Sequence, residues 1–130
     1  MNINDLCLAG IQAFKNGDFD TAVYQLEQAT MNDPDSFRAF TFLGAAYAEQ
    51  KRYNSAIGAL RRAADLEPEV AKVQYNLGQA YEAAGVWREA WFCYKRALEL
   101  DPYYQPARTA HTLLGASLKT MRESLVQLSA

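Results

Sequence analysis

Apolar residues recur along the chain every three or four positions, as in Phe40, Leu43, Ala46 and Tyr47 and again in Ala56, Leu60, Ala63 and Ala64. That spacing keeps the side chains on one face of a helix, whereas a strand would alternate. Asn16-Gly17-Asp18, Gln50-Lys51-Arg52 and Ala84-Gly85-Val86 each separate one periodic stretch from the next, and Gly17 and Gly85 suit the left-handed conformation that closes a helix. Further breaks fall at Asn32-Asp33-Pro34-Asp35, Leu66-Glu67-Pro68-Glu69 and Leu100-Asp101-Pro102-Tyr103. There a proline cannot continue the preceding helix and suits the opening turn of the next, and neighbouring acids complement the positive helix start. Asp20 and Asn54 are expected to cap the second helix of their pairs.

The breaks are in phase. Pro34, Pro68 and Pro102 lie 34 residues apart, and the same interval links Gly10, Gly44 and Gly78, then Ala22, Ala56 and Ala90, then Ala29, Ala63 and Ala97. Phe19, Tyr53 and Trp87 form a fifth column. A fixed period of this length signals stacked repeats, each of two helices. Glycine inside a helix costs about 1 kcal/mol relative to alanine, so the glycine column implies a helix passing too close for a side chain. The alanine column at Ala22, Ala56 and Ala90 is the expected opposing surface. The large residues Phe19, Tyr53 and Trp87, with Leu26, Leu60 and Tyr94, fill the space between units, which share one continuous core.

On these residues the chain resembles the tetratricopeptide repeat family. The pattern is carried by Phe40 to Tyr47 followed by Ala56, Leu60, Ala63 and Pro68, and again by Leu77, Gly78, Tyr81, Ala90, Tyr94, Ala97 and Pro102. The first repeat departs from it with Ala9 and Ala13, as suits a unit with nothing stacked in front, and Gln74 stands where a large aromatic is usual. The resemblance implies an all-α, right-handed α-solenoid. Its expected organisation is a single domain over 1–130, with repeats at 3–36, 37–70 and 71–104 and a capping helix at 105–128.

The resemblance also implies a concave groove, lined by the first helix of each repeat, that holds a partner peptide. Mapped here, it comprises Asn4, Cys7, Leu8, Ile11, Phe14 and Lys15, then Arg38, Thr41, Phe42, Ala45 and Glu49, then Lys72, Tyr75, Asn76, Gln79 and Glu82. One subgroup of the family uses a basic, Asn-rich clamp for the carboxylate tail of heat-shock chaperones. At the matching positions this chain has Cys7, Ile11, Phe42, Lys72 and Asn76, and Lys72 alone fits. An apolar wall at Leu8, Ile11, Phe14 and Phe42 suits a segment with apolar anchors instead, although Phe14 and Phe42 also read as ordinary packing between helices.

The tail runs Ala107, Ala110, Leu114, Leu118, Met121, Leu125 and Leu128 at spacings of three and four. It reads as one amphipathic helix capping repeat three and overhanging it. A truncated fourth repeat is the alternative, since Met121 and Leu128 continue two of the columns and Thr120 and Glu123 match a capping box. Tyr24 and Phe92 share a column in which repeat two has Gly58. With Leu118, Met121, Leu125 and Leu128, Phe92 is a candidate contact between copies of the chain, in a rival reading of the protein as a self-assembling scaffold.

Composition narrows the partners. Lys and Arg number 13 against 15 Asp and Glu in 130 residues, a net charge of −2, which lacks the basic excess that nucleic-acid binding requires. Apolar stretches end well short of the ~20 residues of a membrane span, and the acidic start, Met1 to Asp5, lacks a signal peptide's pattern, so a cytoplasmic location is expected. Cys7 and Cys93 are too few and too far apart for a disulfide framework or a zinc site, and read as buried thiols. His111 has no serine or cysteine at a diagnostic spacing, and a packing role is expected for it. No phosphate-binding loop is present. The chain is therefore read as a non-enzymatic binder of another protein or peptide, with no cofactor and no metal.

Overall fold

The computed structural model describes residues 3–129, with side chains from Asp5 onward. Seven helices follow one another among these residues: α1 (Ile3–Lys15), α2 (Phe19–Asn32), α3 (Phe37–Glu49), α4 (Tyr53–Leu66), α5 (Ala71–Ala83), α6 (Trp87–Leu100) and α7 (Gln105–Ser129). Connections this short force antiparallel pairs. Each helix packs on its neighbours in the chain, and α1 also touches α3, and α3 touches α5, with no comparable contact among the even helices. The odd helices therefore line the tighter, inner side of an all-α solenoid.

The turn inside each pair is set by a residue with positive φ, at Gly17 (79°), Lys51 (61°) and Gly85 (80°). Repeat two thus makes the same turn without the glycine. Each turn leads directly into the following helix, so the expected caps move. Asp18, not Asp20, caps α2 by accepting from the Thr21 N–H at 3.2 Å. Asp20 instead accepts from Gln50 Nε2 at 2.7 Å, tying repeat one to repeat two. Arg52 stands at the cap of α4 without a side-chain bond, and Asn54 lies inside the first turn.

The prolines differ from expectation in a similar way. Pro34 lies in the turn before α3, and Ser36, accepting from the Ala39 N–H at 3.2 Å, is the cap. Asp33 and Asp101 fold these turns locally, accepting from the N–H groups of Asp35 (3.1 Å) and Tyr103 (3.0 Å). Their carboxylates serve the turns rather than the helix dipoles. Arg62 of α4 closes the junction of repeats one and two, donating to the Pro34 carbonyl and to Asp35, both at 2.9 Å.

Both alanine columns, with Leu26, Leu60 and Tyr94, are buried. The partner of each helical glycine is the large residue, not the alanine. A Cβ at Gly10 or Gly44 would lie 2.6 Å from Leu26 or Leu60, and one at Gly78 would lie 2.5 Å from Tyr94. The columns mark helix crossings at which one side chain fills what the other side lacks.

Helix α7 is continuous, so no fourth helical pair forms in the tail, and Thr120 donates to the Ala116 carbonyl inside it instead of capping. Ala107 and Leu114 are buried, and Leu118 packs beside Leu114 on Ala90 and Tyr94. Beyond Leu118 the helix extends past the stack.

Candidate functional site

Helix α1 supplies less of the inner surface than its sequence pattern suggests. Ile11 is only 3% exposed and belongs to the core with Leu26 and Leu43, which corrects its placement on the groove wall. The alanines around it leave a volume that a β-branched side chain fills. Phe14 and Phe42 are half-buried and meet edge to face at 5.6 Å, and Phe14 also tilts against Phe19 at 5.5 Å. These rings join α1 to α3 above the core. Leu8 is exposed, and Cys7 is half-buried with its thiol pushed up by burial, against the opposing effect of Arg38. The side chain of Asn4 lies outside the described residues.

The open part of the inner face lies further along. Between α3 and α5 is a cleft of about 300 Å³ lined by Ala45, Glu49, Tyr53, Asn76, Gln79 and Ala83. Between α5 and α7, which do not pack closely, is a larger one of about 720 Å³. Tyr75, Gln79, Glu82 and Tyr94 line one side of it, and Thr109, Leu113 and Ser117 the other. Gln79 and Ala83 border both openings, so the two clefts adjoin across α5 and are together called the trough. Of the expected groove residues, Ala45, Glu49, Tyr75, Asn76, Gln79 and Glu82 are brought together here. Arg38 and Lys72 are exposed outside the linings, and the Thr41 hydroxyl is turned back to the Phe37 carbonyl at 2.8 Å.

Thr109, Leu113 and Ser117 went unnoticed as groove residues in the sequence. The period contains them, since they stand 34 positions after Tyr75, Gln79 and Ala83. The apolar seam of the tail is the stronger pattern, and it runs along the adjacent stripe of the same helix, where Ala110 and Leu114 line the cleft as well.

Hydrogen bonds organise the trough. Gln79 Nε2 donates to the Tyr75 hydroxyl at 2.8 Å, and the Tyr94 hydroxyl donates to Glu82 Oε1 at 2.8 Å. Burial first, and then the bond to Glu82, hold the Tyr94 hydroxyl far above its ordinary pKa. Tyr47 makes the equivalent kind of bond to Glu27, and burial with that bond pushes it up to about 12. Both phenols stay neutral donors throughout the physiological range.

On the outer side Tyr24 and Phe92 are exposed, and Gly58 between them in the column faces open space. Trp91 turns inward and stacks on His111 at 4.7 Å, with Phe92 perpendicular to it at 5.1 Å. His111 is thus a packing residue, with its Nε2 buried and unpartnered. Among the candidate contacts between copies, Leu118 is engaged within its own chain. Met121, Leu125 and Leu128 are 38%, 65% and 83% exposed. Cys7 and Cys93 are unpaired and half-buried, not fully buried as expected. Among the described residues no group of His, Cys, Asp and Glu could hold a metal ion, and no helix is long and apolar enough to cross a membrane.

Comparison with known proteins agrees with this architecture. The tetratricopeptide repeat model matches residues 7–69 and 50–105. The PEX5-related protein of Homo sapiens is 30% identical over 96 residues, covering 74% of this chain and 15% of that protein. The peroxisomal targeting signal receptor of Saccharomyces cerevisiae is 33% identical over 85 residues, 65% of this chain and 14% of the receptor. The chain therefore spans only a small part of the curated relatives it matches. Among solved structures, the first TPR of Spaghetti (RPAP3) bound to the HSP90 peptide SRMEEVD is 26% identical, with a TM-score of 0.85 over 90% of this chain and 93% of that one. MamA is also 26% identical, with a TM-score of 0.89 over 97% of this chain and 73% of MamA. The repeated columns, the two-helix units and the matching folds agree that this chain belongs to the tetratricopeptide repeat family, whose domains are non-enzymatic modules for protein–protein interaction.

Proposed function

We propose that the chain holds a segment of a partner protein in the trough between α3, α5 and α7, as an adaptor or chaperone-like module without the carboxylate clamp. The observation that carries this reading is that the two clefts adjoin and share Gln79 and Ala83. Apolar walls at Ala45, Ala83 and Leu113 with interspersed amides suit an extended segment with apolar anchors. The RPAP3 domain, similar in fold, is itself bound to a peptide. Of the five clamp positions, Ile11 lies in the core and Cys7 and Phe42 are half-buried, which leaves Lys72 as the single cation. The free thiols are in keeping with a reducing, cytoplasmic setting.

Leu113 is exposed in the trough and tolerates change, so Leu113→Asp with Thr109→Lys tests the site. Partners that co-purify with the native chain are expected to be lost from this variant, and unchanged capture would remove the trough from consideration. For the clamp, titration with the peptide SRMEEVD and its C-terminal amide is expected to show no preference for the free carboxylate. Tight binding of the acid form alone would overturn that part.

A second reading rests on the bare end of α7. Ala107, His111, Leu114, Leu118, Met121, Leu125 and Leu128 follow a strict alternation of four and three, the seam of a coiled coil. Its first half is covered by α6 and its second half is exposed. A second copy of the chain could pair along Met121, Leu125 and Leu128, with Phe92 as a further contact. A mass by light scattering that stays monomeric at high concentration would eliminate this scaffold reading.

A further inference from the structure

The trough has two differently charged edges. Helices α3 and α5 carry exposed cations, Arg38 and Lys72, near their amino ends and carboxylates, Glu49 and Glu82, in their last turns. At 1.5 Å of rise per residue the edges are about 15 Å apart. The acidic edge is the one that meets the clefts. Among the described residues, Glu49 is the charged group lining the α3–α5 cleft and Glu82 the one lining the α5–α7 cleft.

Among the described residues neither carboxylate stands in an ion pair, those seen being Arg62–Asp35 and Arg96–Glu99. Tyr94 holds Glu82 by Oε1 and leaves the second oxygen available. Both acids also stand where helix electrostatics disfavour them, because the last turn presents unpaired carbonyls and a partial negative charge. Repeat one has Lys15 at the position equivalent to Glu49, the choice that helix stability favours. Carboxylates also stand in the last turns of α4 and α6, at Asp65 and Glu99, and of the four it is Glu49 and Glu82 that line the trough, which ties the retention of this pair to binding there.

Resting on the trough as the partner site, we propose that its occupant is a cationic segment: an extended stretch whose Lys or Arg side chains meet Glu82 and Glu49, with apolar residues between them. Neighbouring helices are about 10 Å apart. At the rise of an extended chain, that spacing places the two basic residues about three positions apart. The amides of Asn76 and Gln79, which line the trough between the two acids, can serve the segment's backbone. The charge preference is opposite to that of a clamp for acidic tails.

The test is to probe the full chain with an array of random short peptides, alongside Glu49→Lys, Glu82→Lys and the charge-neutral pair Leu113→Asp with Thr109→Lys. Support would be bound peptides enriched in Lys or Arg at two nearby positions, about tenfold weaker binding for each Glu→Lys change, and reversal towards Asp and Glu in the double variant. Thermal melts establish that the variants fold. If the double lysine variant does not, the isosteric Glu49→Gln, Glu82→Gln pair must lose the basic preference. Neutral or acidic peptides that bind and are lost with the Leu113→Asp, Thr109→Lys pair would overturn the cationic occupant and leave the trough standing. Peptides that bind regardless of the Leu113→Asp, Thr109→Lys pair, or no binding at all, would overturn both.

Discussion

Tyr94 occupies the space left by Gly78, crossing α5 where a Cβ would lie 2.5 Å from its ring and donating to Glu82 one turn further on. One side chain thus seals the junction of α5 and α6 and sets a carboxylate in the trough. Gly78→Ala is expected to destabilise the fold by about 1–3 kcal/mol, because the ring has no room to retreat. Gly58→Ala, where nothing lies within 4 Å, should instead stabilise it by about 1 kcal/mol. Urea unfolding of the two variants checks the opposite signs.

Lys51 offers a second stabilising change. Its φ of 61° places it in the conformation that Gly17 and Gly85 adopt in the other repeats. An L-residue there is strained by about 1–2 kcal/mol, part of which glycine returns through its freer unfolded chain. Lys51→Gly is therefore expected to raise the unfolding free energy by roughly 0.5–1 kcal/mol. Gly17→Ala should lower it, and a melt in which both move the same way would refute the assignment.

These two cases show what repetition conveys and what it hides. The period revealed the helices, their pairing and the crossing points, because stacking repeats the same steric demand. It did not reveal which large residue opposes each glycine, since Ala56 and Leu60 share a helix face and differ only in reach. Nor did it separate Ile11 from the groove. Position in a helix gives direction but not depth, and a first repeat rich in alanine draws its neighbour inward. Ile11→Asp would consequently unfold the chain rather than test binding, whereas Leu113, found from contacts with the trough, is usable. The charge pattern of the trough was present in the sequence at Glu49 and Glu82, but its meaning depended on seeing where the clefts open.

The burial of His111, stacked against Trp91, makes stability depend on pH. Burial, and then Lys95, lower the His111 pKa from its ordinary value near 6.5. The unfolded chain therefore takes up a proton before the folded one does as pH falls. Stability is complete above the unfolded pKa and is lost as pH drops from about 6.5 towards the folded value. Denaturant midpoints measured across this window should fall in the native chain, and His111→Phe, which keeps the stack and cannot titrate, should flatten that part of the profile. The carboxylates are the same in both proteins, so the difference between the two profiles belongs to His111.

The acids of the trough predict a trade between stability and binding. Glu49 ends α3 where the helix carbonyls repel it, so Glu49→Gln removes a repulsion while keeping the shape. The variant is expected to gain about 0.3–1 kcal/mol at low ionic strength, with the gain shrinking as salt screens the dipole. Glu82→Gln should gain less, because its carboxylate also accepts a hydrogen bond from buried Tyr94, and a charged acceptor strengthens that bond. Unfolding curves at low and high salt separate these contributions. If both variants lose stability by the same amount, the acids are structural, and the argument that they are retained for a partner fails with that result.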